Sequence, residues 1–337
     1  MISAIDSIVE ASIDPQGPGL AVAVVQNGDC LHCKGYGQAT MEWSTPITTD
    51  TVFRLGSLTK TFTATAVLLL QQQGKLHLSD AITTYFPDFS PHWNAITIEH
   101  LLTHTAGIKN YNDLDGFIRI WSRADLTPRE LTTLFADLPL EFTPGTRFAY
   151  TNSGYVLLGL LIETLSGMSY DEFIRTQIFV PLGMKRSYYM LRGAIIPERA
   201  AGYVLAAENN PHAYRGYLHA PFRSMTTSYA SGGLGATLDD MLIWDNALRT
   251  NRLLSEDLQK RALTPATLAN NQTSIYGLGW FVEERQGHKI AYYPGEVEGF
   301  SSLMMRYLDL PLTLILLANL SSWDLEGLAA KISEALL

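Results

Sequence analysis

The sequence predicts an α/β fold: an antiparallel sheet flanked by helices, its strands drawn from both ends of the chain, with a mostly helical segment inserted between them. Three observations carry this. Apolar runs of strand length occur at 20–25 and around Leu31, and again at 276–283, 288–293, 302–307 and 312–317. Between residues 77 and 230, short helical patterns alternate with Pro and Gly breaks. Of 337 residues, 47% are hydrophobic and 17% charged; the usual charged share is about 25%, so a large core must be buried. The length suits two lobes sharing that core. The expected division is an α/β lobe from 1–76 and 231–337 and a helical lobe from 77–230.

Residues 2–13 are amphipathic and read as a helix closed by Asp14-Pro15 and Gly17. The strand at 20–25 and the one around Leu31 are joined at Asn27-Gly28, a hairpin signal. Cys30-Leu-His-Cys33 has the spacing of a metal or redox pair. In a regular strand, however, positions three apart face opposite ways and lie about 10 Å apart, beyond disulfide reach. Two inert thiols in a reducing cytoplasm are therefore expected. From Ser57 to Gly74 no charge follows Lys60, and Ala, Leu and Thr dominate; a helix apolar on most sides belongs at a centre. Helical patterns follow at 97–104, 127–138, 153–166 and 170–179. After the glycine-rich Ser231–Gly235, a helix opens with the capping pattern Thr237…Asp240. The last strands and a helix at 322–336 close the chain.

The net charge is −9 and the pI about 5.4, with no basic tract. This excludes an electrostatic footprint for nucleic acid or anionic membrane. No apolar run approaches the roughly 18 residues of a membrane span. Asp6 and Glu10 stand where a secretory leader would need a basic start and an apolar core. A cytoplasmic protein acting on a small-molecule ester, amide or peptide is expected.

The chemistry concentrates in two segments. In Phe53-Arg-Leu-Gly-Ser57-Leu-Thr-Lys60, a helix starting near Ser57 brings Lys60 one turn on, within reach of the serine hydroxyl. A serine nucleophile needs a proton acceptor, and burial in an apolar helix lowers a lysine pKa toward a useful range. In Tyr150-Thr-Asn152, two residues apart in an extended piece, both side chains point the same way. A phenol beside a lysine can relay protons, and an asparagine can orient the amine or donate to a substrate carbonyl. Taken separately, the first segment also reads as an N-capping serine with a snorkelling lysine, the second as a packing aromatic before an Asn cap. His100 and His104, four apart, lack the glutamate of a metalloprotease pair; no metal and no cofactor are expected.

The Ser57–Lys60 tetrad with Tyr150-Thr-Asn152 some ninety residues later resembles the serine beta-lactamase and penicillin-binding-protein superfamily, in the branch of class C beta-lactamases, D-alanyl-D-alanine carboxypeptidases and family VIII esterases. Further similar segments are Leu101-Leu-Thr-His-Thr-Ala-Gly107, Phe179-Val-Pro-Leu-Gly-Met184, Gly232-Gly-Leu-Gly-Ala-Thr237, Tyr276-Gly-Leu-Gly-Trp280 and Gly299-Phe-Ser-Ser302. The resemblance implies a beta-lactamase-like fold and an acyl-enzyme on Ser57. Lys60 and Tyr150 would share general base and acid roles, Asn152 would position Lys60 and substrate, and the backbone N–H groups of Ser57 and Glu296 would form the oxyanion hole.

Members of that superfamily carry Lys-Thr-Gly or His-x-Gly in a third motif, where this chain has Tyr293-Pro294-Gly295. The cation and hydroxyl that hold a substrate carboxylate are missing. An aromatic at Tyr293 suits a neutral ester, so a carboxylesterase is the leading expectation, with Arg147 as an alternative cation. The aromatics Tyr203, Tyr214, Tyr217, Phe222 and Tyr229 are candidate walls of an acyl pocket. Alternatives are D-amino-acid peptidase, DD-peptidase or beta-lactamase activity, an acyltransferase, and an inactive scaffold.

Overall fold

The computed structural model describes residues 2–337. Its main sheet has six strands: β1 (Leu20–Gln26), β2 (Asp29–Tyr36), β3 (Phe281–Arg285), β4 (His288–Val297), β5 (Phe300–Tyr307) and β6 (Leu312–Ala318). Their order is β3-β4-β5-β6-β1-β2, antiparallel throughout. The strands thus come from residues 20–36 and 281–318, and the pairing of Leu20 with Ala318 through Gln26 with Leu312 closes the two ends of the chain onto each other. Residues 77–230 hold helices and only three short strands, Tyr188–Tyr189, Tyr203–Leu205 and Tyr217–His219.

Both faces of the sheet are covered, which explains strands as uniformly apolar as LAVAVV and LTLILLA. Leu20, Val22, Val24, Leu314 and Leu316 meet α1 (Ile2–Glu10) through Ile5 and Val9, and the C-terminal helix through Leu328 and Ile332. Ala21, Ala23, Tyr293, Ile315 and Leu317 face the other way, into the main core. The centre of that core is α2 (Thr59–Gln72), buried at every position from Thr59 to Leu70. It packs against α3 (Asn152–Ser166) and α4 (Met225–Gly232). Two further helices, α5 (Leu238–Arg249) and α6 (Glu256–Ala262), and the C-terminal α7 (Leu325–Glu334) complete the elements used below. Thr237 caps α5 by accepting from the Asp240 N–H.

One expectation is corrected. Cys30 and Cys33 form a disulfide, with Cα atoms 6.4 Å apart. The cause is a β-bulge: Val25 pairs with Cys30 while Val24 pairs with His32, so Leu31 is an extra residue. The bulge resets the alternation and turns the two cysteines to one face. The strand expected from residue 276 starts only at Phe281, because Gly277 and Gly279 shape a loop there. No helix among the described residues is long and apolar enough to cross a membrane.

Candidate active site

Arg54 and Phe53 pair with Gly235 and Ala236, after which the chain makes one tight turn, Gly56–Leu58, into α2. Ser57 therefore stands just before the helix and Lys60 in its first turn. Strand β4 lies directly against this turn because two glycines permit it. Gly56 has φ +52°, and a Cβ there would stand 2.8 Å from the Glu296 backbone. A Cβ on Gly295 would stand 2.1 Å from the Leu55 carbonyl oxygen. Ser302 on β5 donates to that same carbonyl at 2.7 Å.

Lys60 is fully buried. Its Nζ is 2.8 Å from Asn152 Oδ1, 2.7 Å from the Ser231 carbonyl and 3.1 Å from Ser57 Oγ. Burial, and then the charge of Arg223, hold its pKa well below the ordinary lysine value. A neutral amine has two hydrogens and one lone pair. Asn152 and Ser231 take the hydrogens, which leaves the lone pair facing the Ser57 hydroxyl. The Ser231 carbonyl is aimed by a kink in α4, where Tyr229 adopts φ 42° and ψ −132°, a region costly for any residue but glycine. The kink turns two successive carbonyls onto α2: Ala230 accepts from Thr63 Oγ1 and Ser231 from Lys60.

Tyr150 ends the extended segment before α3, and its hydroxyl donates to Ser57 Oγ at 2.8 Å. Thr151 caps α3 by accepting from the Ser153 N–H, which sets Asn152 as the first helical residue. Burial pushes the Tyr150 pKa up to about 12, against its side-chain interactions with Ser57 and Tyr293, which lower it. Behind it sits His104, fully buried, its ring 4.4 Å from the Tyr150 ring. His104 Nδ1 accepts from the Thr151 N–H, and burial holds the imidazole pKa well below its ordinary value. His100 serves local structure instead, its Nδ1 accepting from the Thr97 N–H in a capping box.

Ser57 opens on a cleft of about 650 Å3 whose wall includes Tyr150, Phe281, Gly295, Glu296 and Trp323. Asp324 and Glu326 also line it, and no cation does; the adjacent Arg285 is engaged by Glu283 and Glu326. On the other side of Ser57 a small polar pocket is lined by Asn112, Asn152 and Arg223. Arg223 is held there by Glu298 at 3.2 Å and Asn112 at 3.0 Å.

The structure thus brings Ser57, Lys60, Tyr150 and Asn152 together and sets Gly295 and Glu296 in the cleft wall. It corrects the placing of Tyr293, which is fully buried, its hydroxyl accepting from Tyr276 at 2.8 Å. Tyr293 backs Tyr150 and does not line the cleft. Arg147 stacks on Phe142, 4.5 Å from its ring centroid, and does not line it either. Of the expected acyl-pocket aromatics, none is in either wall; Tyr203 bonds Glu42, Tyr229 packs on Tyr170 and Phe222 lies under Arg192. Arg223 and Trp323 were missed. Neither sits at a motif spacing, and only the fold carries them to Ser57.

The Beta-lactamase family model matches residues 5–337. The chain is 32% identical over 310 residues to penicillin-binding protein 4* of Bacillus subtilis, covering 88% of this chain and 67% of that protein. It is 27% identical to a D-aminopeptidase of Gluconobacter oxydans, covering 90% of this chain and 56% of that one. The chain thus spans between about half and two thirds of the length of these relatives. Among solved structures, D-amino acid amidase from Ochrobactrum anthropi superposes with a TM-score of 0.86 at 25% identity, covering 100% of this chain and 99% of that one. An octameric penicillin-binding protein homologue from Pyrococcus abyssi gives 0.83 at 27% identity, over 99% and 76%. The family model over nearly the whole chain, with a turn that holds Ser57 beside Lys60, Tyr150 and Asn152 on a fold shared with these proteins, identifies the chain as a member of the beta-lactamase family, in the serine hydrolase superfamily of penicillin-binding proteins.

Proposed function

We propose that the protein hydrolyses small esters and amides through an acyl-enzyme on Ser57. One observation carries this: the Ser57 hydroxyl lies between a buried, desolvated lysine and a protonated tyrosine. In the reading we favour, Ser57 donates its proton to neutral Lys60 as its oxygen attacks the substrate carbonyl. The backbone N–H groups of Ser57 and Glu296 hold the oxyanion, an interaction worth about 3–4 kcal/mol in comparable sites. Tyr150, kept protonated, gives its proton to the leaving group and is reprotonated by the proton that Lys60 took from Ser57, so that the acyl-enzyme holds a neutral lysine and a protonated tyrosine. Water then attacks the acyl-enzyme by the reverse path.

The walls favour a substrate without a carboxylate. Glu296, Asp324 and Glu326 line the cleft and no cation does, Arg285 being paired with Glu326 and Arg223 with Glu298, which opposes penicillins and peptides ending in D-alanine. A neutral carboxylic ester is the leading substrate. A second reading, an amide of a D-amino acid, is supported by the same carboxylates, which attract an ammonium group, and by the likeness to a D-aminopeptidase and a D-amino acid amidase. The test is a rate comparison of p-nitrophenyl butyrate, D-phenylalaninamide, L-phenylalaninamide and a chromogenic cephalosporin. The proposal expects turnover of the ester or the D-amide and little of the cephalosporin. Cephalosporin hydrolysis outpacing both would overturn it.

A further inference from the structure

The hollow at Ser57 continues past Trp323. Trp323 and Asp324 line the Ser57 cleft, and both also line a second pocket of about 210 Å3 whose apolar wall is Ile13, Leu205, Tyr217 and Leu320. The two hollows share a rim, the loop between β6 and α7. Leu205 is 67% exposed, so this apolar wall stands open to solvent.

The rim is braced from the strands that carry the site. Ser301 Oγ on β5 donates to the Leu320 carbonyl at 2.9 Å and accepts from the Trp323 N–H at 3.4 Å. Ser322 Oγ donates to the Glu296 carboxylate on β4 at 3.0 Å. Asp324 caps α7 by accepting from the Gly327 N–H at 2.8 Å. Trp323 is thus held in place before any ligand arrives, which spares the ordering cost that a loose loop would add to binding.

The sheet register measures the span. Glu296 pairs with Ser301, Ser301 with Ala318 and Ala318 with Leu20. Strands β4 and β1 are therefore three spacings apart, roughly 14 Å at about 4.8 Å each. Glu296 lines the Ser57 cleft, and Pro18, two residues before Leu20, lines the second pocket. The proton donor gives the direction. Tyr150, which protonates the leaving group in the mechanism above, lines the cleft on the Trp323 side, whereas Asn152 and Arg223 line the small pocket on the other side. The leaving group therefore departs toward Trp323. Asp14 and Asp324 stand in the second pocket, and among the described residues no cationic side chain lines it, so an anionic tail is disfavoured there.

We propose that the second pocket is a leaving-group subsite. It takes an ester or amide whose alcohol or amine part carries no negative charge, crosses the Trp323 rim and ends in an apolar group against Leu205 and Tyr217. This inference rests on the acyl-enzyme reading given above and names the substrate class more closely.

The experiment compares benzyl butyrate with 6-phenylhexyl butyrate, which carry one acyl group and one ring on a short and a long tether. The proteins are the wild type, Leu205→Asp and Tyr217→Ala, with circular dichroism and thermal unfolding to establish that each is folded. In the wild type, KM for the long ester should lie about tenfold or more below that for the benzyl ester. Its kcat should be similar, because contacts remote from the reacting carbonyl are made equally in the ground and transition states. Both substitutions should raise KM for the long ester by about fivefold or more and leave both constants of the benzyl ester unchanged. Binding of the two esters to Ser57→Ala, followed by tryptophan fluorescence, should show the same preference and lose it when Leu205→Asp is added; this readout needs no turnover. Equal KM and equal binding of the two esters, or a preference indifferent to both substitutions, overturns the subsite. Turnover of neither ester, with the binding preference intact, would count against the ester reading and for the subsite.

Discussion

At the scale of the residue, the hydrogen-bond inventory around Lys60 decides the chemistry. With Asn152 and Ser231 as acceptors and burial disfavouring the charge, the proposed mechanism has the lysine act as base only when neutral. The rate should therefore rise with pH as Lys60 loses its proton, at a pH well below 10.5, and stay level until Tyr150 ionises near 12. A kcat/KM profile with its rising limb near 10.5 would contradict this. Linkage has the same sign: between the folded and the unfolded lysine pKa the unfolded chain binds more protons, so this residue's contribution to stability improves as pH rises to about 10.5. The Ser57–Lys60 pair was legible from spacing, because a helix fixes which positions are neighbours. Tyr150 and Asn152 were legible as a pair pointing one way, with an asparagine able to orient the lysine amine; Asn152 Oδ1 and Lys60 Nζ lie 2.8 Å apart. Tyr293 was misplaced because sequence gives the face of a strand and not the depth behind it: Tyr293 shares a strand face with Gly295, yet its ring ends among Tyr276, Trp280 and Phe281.

At the scale of the element, close approach of β4 to the Ser57 turn holds the site together. Gly295→Ala drives a Cβ into the Leu55 carbonyl and should cost about 1–3 kcal/mol in stability and about 100-fold or more in kcat. Thermal unfolding and steady-state kinetics check it; wild-type kcat in the folded variant would show that the strand's position does not matter. The bulged strand β2 makes the opposite case. Its disulfide spans only four residues, so loop-closure entropy contributes about 2 kcal/mol at most, and β2 is the sheet edge opposite β3. Cys30→Ser with Cys33→Ser should lower the Tm by a few degrees and leave turnover unchanged. Loss of turnover would mean that β2 supports the site. The bulge was not legible because it inserts one residue without any Gly or Pro to signal it, and the elimination based on regular alternation failed there. Disulfides belong to oxidising surroundings, so the thiols no longer argue for a reducing compartment.

At the scale of the molecule, the sheet was legible because its strands are uniformly apolar and lie near the chain ends. The short α4 and α6 were not: both are brief, and α4 contains the Tyr229 kink that no propensity predicts. The cleft arises only when distant parts meet, the nucleophile turn with β4 and the start of α7. Its charge is a property of that assembly. Glu296→Gln with Asp324→Asn should raise KM for D-phenylalaninamide by several-fold while barely changing p-nitrophenyl butyrate, since only the amide carries a cation; equal effects on both would remove electrostatic selection. The central claim is the acyl-enzyme, and the most direct test is fluorophosphonate labelling followed by peptide mass analysis, beside p-nitrophenyl butyrate turnover in wild type and Ser57→Ala. The account predicts a single adduct on Ser57 and no turnover in the mutant. Hydrolysis that persists in Ser57→Ala, or labelling elsewhere, would contradict it.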